Sequence, residues 1–248
     1  MKIANLETAD IAYLDEGEGD VILLIHGFAS NANTNWTGVG WVQLLVDCGY
    51  RVIALDNRGH GASQKFYEKE AYMLENMADD AAMLLKYLKI NKVHMMGYSM
   101  GARISSMFAS RYSDIIKKLI IAGNGYNMIE GGFDSLEIYD GLMAETDDNV
   151  TTKIGVEFRA FAKATGSDLK ALASCIMGGR SYIPQSLFEN LKPETLVIAG
   201  TEDTVAIDSE KLAKIIPNGH FVPIPKRNHM NAVGDKVYKQ AVIDFLEG

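Results

Sequence analysis

Short runs of apolar residues alternate along this chain with longer stretches whose apolar positions recur every three or four residues. The runs Ile11–Leu14, Val21–Ile25, Arg51–Leu55, Val93–Met96, Leu119–Ala122, Thr195–Ala199 and His220–Pro223 are strand-length and bounded by turn residues, as expected of strands buried on both faces. The stretches Trp41–Asp47, Met73–Leu88, Ala102–Tyr112, Asp208–Ile216 and Val237–Leu246 carry helical spacing. Within the second, Met77, Ala81, Leu84, Leu85 and Leu88 form one stripe, which is read as core. Strand and helix in alternation predict an α/β fold built from crossover units on a mostly parallel sheet.

From Gly123 to about Pro184 the alternation stops. Helical patterns at Leu136–Met143, Val150–Ala164 and Leu169–Met177 follow one another with no strand between them. The chain therefore divides into a core over residues 1–122 and 185–248 and a helical insertion over 123–184. In open α/β sheets, ligands bind beyond the carboxyl ends of the strands, so an insertion after the strand ending at Ala122 is placed over the site as a lid. Phe133, Phe158 and Phe161 are candidates for an acyl pocket within it, although packing inside the lid explains them equally well. No Lys or Arg occurs from Leu119 to Thr152, where Glu130, Asp134, Glu137, Asp140, Glu145, Asp147 and Asp148 all fall. Such a run is ordinarily a solvated face.

At 248 residues and 48% hydrophobic composition the chain can bury about three quarters of its unfolded surface around one core. The formal charge of −8 disfavours nucleic acid as a partner. The N-terminal residues include Glu7 and Asp10 and no long apolar stretch, so neither a signal peptide nor a membrane span is expected, and the location expected is cytoplasmic. Cys48 and Cys175 have no metal-ligand spacing and are read as buried reduced thiols; no metal and no cofactor is expected.

The chemistry enters at residues 93–101, Val-His-Met-Met-Gly-Tyr-Ser-Met-Gly, an apolar run entering a Gly-x-Ser-x-Gly turn ahead of a helical stretch. A sharp strand-to-helix bend needs small neighbours, here Gly97, Gly101 and Ala102, and it lifts the Ser99 hydroxyl to a helix N-terminus where backbone N–H groups favour developing negative charge. A serine hydroxyl needs a base. Of the five histidines, His94 and His220 lie in or beside strands and His60 lies in the turn Asp56–Ser63, where structural roles are expected. His26 ends a strand before Gly27, a place suited to shaping a donor pocket. His229, between the last strand and the last helix, remains as the base. Asp203, in the loop after Leu196–Ala199, is the carboxylate expected to orient it, with Glu202 as nearest competitor. The backbone N–H groups of Phe28 and Met100 are the expected oxyanion donors.

Together His26-Gly27-Phe28, Asp56–Ser63, Gly97–Gly101, Gly200–Asp203 and His229 resemble the α/β-hydrolase superfamily, specifically its small lidded serine hydrolases, over nearly the whole chain. The resemblance implies the α/β-hydrolase fold and the catalytic set Ser99, Asp203 and His229. It does not choose among carboxylesterases, lactonases, carbon-carbon bond hydrolases and lyases. Relatives often carry Gly-Gly where this chain has Gly101-Ala102. Arg103 follows, and in the menaquinone-pathway lyase of this fold an arginine at the matching place helps bind substrate carboxylates. Pairing with an acid is the ordinary expectation for such an arginine. His26, Tyr98 and Arg103 join the three phenylalanines as candidate pocket residues.

The reading is a carboxylesterase-like hydrolase of small or medium acyl substrates. The alternatives are a carbon-carbon bond hydrolase or lyase using the same triad, and a non-catalytic ligand-binding protein, which the retained triad disfavours.

Overall fold

The computed structural model describes residues 1–131, 135–179 and 181–248. Its strands are β1 (Lys2–Asn5), β2 (Asp10–Glu16), β3 (Asp20–Ile25), β4 (Tyr50–Leu55), β5 (Val93–Tyr98), β6 (Ile116–Ala122), β7 (Glu194–Gly200) and β8 (Gly219–Ile224). They form one sheet in the order β1-β2-β4-β3-β5-β6-β7-β8, antiparallel at β1/β2 and β2/β4 and parallel elsewhere. The helices are α1 (Trp41–Asp47), α2 (Leu74–Tyr87), α3 (Met100–Tyr112), α4 (Asn127–Glu130), α5 (Ser135–Met143), α6 (Lys153–Ala164), α7 (Leu169–Gly178), α8 (Gln185–Glu189), α9 (Ser209–Ile215) and α10 (Lys236–Glu247). The chain has the α/β-hydrolase fold.

Two cores explain why the strands read as unbroken apolar runs. Along β3, Leu23 and Ile25 face a core shared with α2, α3 and α9, while Ile22 and Leu24 face one shared with α1 and α10. The same alternation divides Met95 from Met96 in β5 and Ile121 from Ile120 in β6. The edge strands differ. β1 has one fully buried residue, Ala4, and four residues are too few for a period to register in the sequence.

Helices α4 to α8 come between β6 and β7. Leu172 and Ile176 of α7 join the same core as Leu74 and Met77 of α2. Ser174 Oγ donates to the Tyr67 carbonyl and Tyr67 OH to Asp168, fastening α7 to the loop before α2. Among the described residues, no helix is long and apolar enough to cross a membrane.

Cys48 departs from expectation. Cys175 is buried, but Cys48 is exposed, because α1 stops at Asp47 and the chain reverses at Gly49 (φ 83°) before the thiol reaches the core.

Candidate active site

Strand β5 enters α3 through Ser99, whose backbone stands at φ 56°, ψ −115°. Such a conformation costs a non-glycine residue about 1–3 kcal/mol and persists only where its surroundings enforce it. Here the Ser99 N–H donates to the Ala122 carbonyl at 2.8 Å, and the Ser99 carbonyl accepts from the Ala102 N–H at 2.9 Å and Asn124 Nδ2 at 3.0 Å. The two glycines are steric requirements: a Cβ on Gly97 would lie 2.1 Å from the Gly101 carbonyl oxygen, and one on Gly101 would lie 2.0 Å from that of Ile25.

The loops after β7 and β8 bring two further groups to this turn. His229 Nε2 stands 3.0 Å from Ser99 Oγ, and His229 Nδ1 stands 2.9 and 3.1 Å from the two carboxylate oxygens of Asp203. Burial raises the Asp203 pKa, but the His229 hydrogen bond and charge, with N–H donors from Ala206 and Val205, outweigh it and hold the carboxyl below its ordinary value. An ionised Asp203 accepts only, so it fixes the proton on Nδ1 and turns the Nε2 lone pair toward Ser99. Glu202, by contrast, is exposed. Tyr98 OH donates to the His229 carbonyl, and the two rings lie 5.4 Å apart.

Neither the Phe28 N–H nor the Met100 N–H donates to a protein acceptor among the described residues. The first belongs to the turn Gly27–Ser30, closed by the Ser30 N–H on the Gly27 carbonyl, and the second opens α3. Asn35 Oδ1 accepts the Gly27 N–H at 3.1 Å. Asp56 accepts from the Ala32 N–H, tying this loop to the one after β4.

His26 does not form the cavity wall expected of it. It is fully buried behind the turn, its Nδ1 donating to the Gly27 carbonyl at 2.7 Å and its Nε2 accepting the Asn57 N–H at 2.9 Å, so both nitrogens are engaged. Burial lowers its pKa to about 4. His60 lies 5.2 Å from it, ring to ring, and burial, with repulsion from His26, lowers its pKa to about 3. Both are neutral scaffolding.

A cavity of about 420 Å³ opens over Ser99 and His229. Tyr98, Phe158 and Phe161 line it, together with Phe28, Thr34, Asn35, Val39, Val205, Met230 and Val233. Thr34, Asn35, Val39, Val205, Met230 and Val233 come from three loops and share no sequence pattern, although the asparagine-rich run Asn31–Asn35, two residues after His-Gly-Phe, marks its loop as unusual. Phe133 lies outside the described residues.

Arg103 lines a second cavity of about 190 Å³ that also reaches Ser99, with Asn124, Asn127 and Tyr182. The acidic partner expected for it is absent among the described residues. Its guanidinium donates to the Ser181 carbonyl, its Nε has no partner, and burial lowers its pKa to about 10. Asn127 Oδ1, in the same wall, is also buried without a partner. No cluster of three or more metal-ligating side chains occurs among the described residues.

The model of the alpha/beta hydrolase fold family matches residues 20–145. A non-heme chloroperoxidase from Kitasatospora aureofaciens is 27% identical, with 96% of each chain covered. Among solved structures, an enol-lactonase from Burkholderia xenovorans LB400 superposes with a TM-score of 0.83 at 20% identity, covering 100% of both chains. A thermophilic esterase from Thermogutta terrifontis, malate bound, reaches 0.76 at 25% identity, covering 100% of this chain and 98% of that one.

Proposed function

The chain belongs to the alpha/beta hydrolase fold family, and on that footing we propose that it is a serine hydrolase cleaving carboxylic esters of small or medium acyl groups. The observation that carries this reading is the 3.0 Å contact between Ser99 Oγ and the His229 ring, itself held by Asp203. Ser99 Oγ attacks the ester carbonyl carbon as its proton passes to His229 Nε2. The Phe28 and Met100 N–H groups then receive the oxyanion, each donor being worth about 2.7–4 kcal/mol of barrier in comparable sites. Collapse breaks the bond to the alcohol, which leaves with the proton from His229. Water, deprotonated by the same ring, attacks the acyl-enzyme; His229 returns the proton to Ser99 and the acid departs.

The mostly apolar 420 Å³ cavity supports a small-molecule substrate with an apolar acyl limb. Residues 123–184 act in this reading as a lid, whose Phe158 and Phe161 form part of the wall. The esterase among the structural neighbours is consistent with it.

A second reading, a carbon-carbon bond hydrolase or lyase, is favoured by one observation. Arg103 is a buried cation without an acidic partner among the described residues, in a cavity shared with Ser99, which suits a substrate carrying a carboxylate.

Ser99→Ala tests the main reading. The variant is expected to fold as the parent does and to lose on the order of a thousandfold or more in turnover of p-nitrophenyl acetate and butyrate. Undiminished turnover by that variant ends the proposal.

A further inference from the structure

Helix α6 ends at Ala164, and the hydroxyl of Thr165, which caps it, reaches out of the inserted segment to the turn carrying Phe28. Thr165 Oγ lies 2.8 Å from the carbonyl oxygen of Ala29, a residue 136 positions earlier. Two helical carbonyls, of Ala162 and Phe161, lie 3.0 and 3.2 Å from the same oxygen. Each already accepts a backbone N–H, from Ser167 and Thr165 respectively. Ser167 Oγ, 2.9 Å from Thr165 Oγ, can be the donor of that pair, and the carbonyl of Ala29, a fully buried residue, has no other donor among the described residues, so the Thr165 hydroxyl proton is assigned to Ala29.

Ala29 is also one of the few non-glycine residues at positive φ, 58°. It sits in the turn Gly27–Ser30, next to the Phe28 amide. An alanine relaxes from that region unless something holds it, and its carbonyl is where the hold is applied. The same helix presses Phe158 against Phe28, ring centroids 5.7 Å apart.

We propose that Thr165 is a positioning residue for the acyl-transfer step: its hydroxyl holds the Gly27–Ser30 turn in the form that aims the Phe28 N–H at the oxyanion. The inference rests on the serine hydrolase reading and extends it, since the inserted helix then completes the oxyanion site as well as walling the cavity. A substrate that displaces α6 weakens catalysis, and one that seats it restores the donor.

The probe is a fluorophosphonate, whose reaction at Ser99 expels fluoride and places a polarised phosphoryl oxygen in the same site, read alongside p-nitrophenyl butyrate kinetics. Thr165→Val is expected to slow Ser99 labelling and lower kcat about tenfold with KM changed less than twofold, and Thr165→Ser to restore both. Glycine holds a positive φ without strain, so Ala29→Gly in the Thr165→Val background is expected to recover much of the loss. A purely structural Thr165 would lower the melting temperature without that split and without rescue by glycine. If Thr165→Val does not fold, Thr165→Ala against Thr165→Ser supplies the same comparison. Labelling and kcat within twofold of the parent in the folded Val or Ala variant overturn the positioning role and leave the serine hydrolase reading standing. Failure of the parent itself to be labelled overturns both.

Discussion

Tyr98, the residue before the strained serine, donates its hydroxyl to the backbone carbonyl of His229 at 2.5 Å, across 131 positions of sequence. The bond fixes the loop after β8 against the turn after β5, so the imidazole is held from its backbone as well as from Asp203. Tyr98 is deeply buried, and burial, with the negative charge of Asp203, holds its hydroxyl well above the ordinary tyrosine range. It remains a donor throughout the working range.

Tyr98→Phe therefore removes an anchor without opening a cavity. A buried hydrogen bond of this kind is worth about 1 kcal/mol, so kcat/KM for p-nitrophenyl butyrate is expected to fall roughly fivefold. Steady-state kinetics with a matched thermal melt checks it. An unchanged kcat/KM would remove Tyr98 from the positioning of His229.

Phe158 and Phe161 are half-buried on α6 and face the 420 Å³ cavity. Truncating either to alanine lengthens the apolar limb the cavity can hold, and burial of each added methylene is worth about 0.8 kcal/mol. The preferred acyl chain of a p-nitrophenyl ester series is expected to shift toward longer members by two or more carbons. An unaltered length profile in both variants would place the acyl limb elsewhere.

On the second reading, in which Arg103 receives a substrate carboxylate, this residue separates substrates that carry one from those that do not. Replacing it with leucine is expected to raise KM for a half-ester such as monoethyl succinate by tenfold or more, while turnover of neutral ethyl butyrate changes less than threefold. Equal effects on the two esters would reduce Arg103 to a structural role.

Acid should unfold the protein through its buried histidines. His26 and His60 have folded pKa values of about 4 and about 3, below the ordinary value of 6.5, so between those values the unfolded chain binds more protons. Stability is then complete above pH 6.5 and falls as the pH drops toward 4, by about 1.4 kcal/mol per pH unit for each histidine. Asp203, with its depressed pKa, acts in the same direction at lower pH. Urea unfolding between pH 7 and 4.5 measures the slope, and His60→Asn is expected to flatten it. A parent protein with pH-independent stability over this range would contradict the assignment.

Much of the fold was legible because its causes are local. The strands from β2 onward and the helices α1, α2, α3, α9 and α10 lie within a few residues of the expected runs, since each carries its own period. The nearest misses are short pieces: β1, α4 and α8 bury too few residues to write a pattern. At the site, Ser99, His229 and Asp203 could be singled out because each follows a strand in a turn of recognisable chemistry. His26 was misplaced for the opposite reason: sequence locates a side chain at a strand end but does not say on which side of the loop it is engaged, and the Asn57 N–H decides that.

The order of strands and helices, the turn that must bend at Gly97-Tyr98-Ser99-Met100-Gly101 and the supply of a base and a carboxylate were all set by the sequence alone, because backbone sterics and hydrophobic period act over a handful of neighbours. The cavity wall, the contact of Arg103 with the Ser181 carbonyl, the tether from Tyr98 to His229 and the reach of Thr165 to Ala29 were decided only by the folded chain. Each depends on groups tens to more than a hundred positions apart meeting within hydrogen-bond or van der Waals distance, and no local pattern encodes where two distant loops will touch.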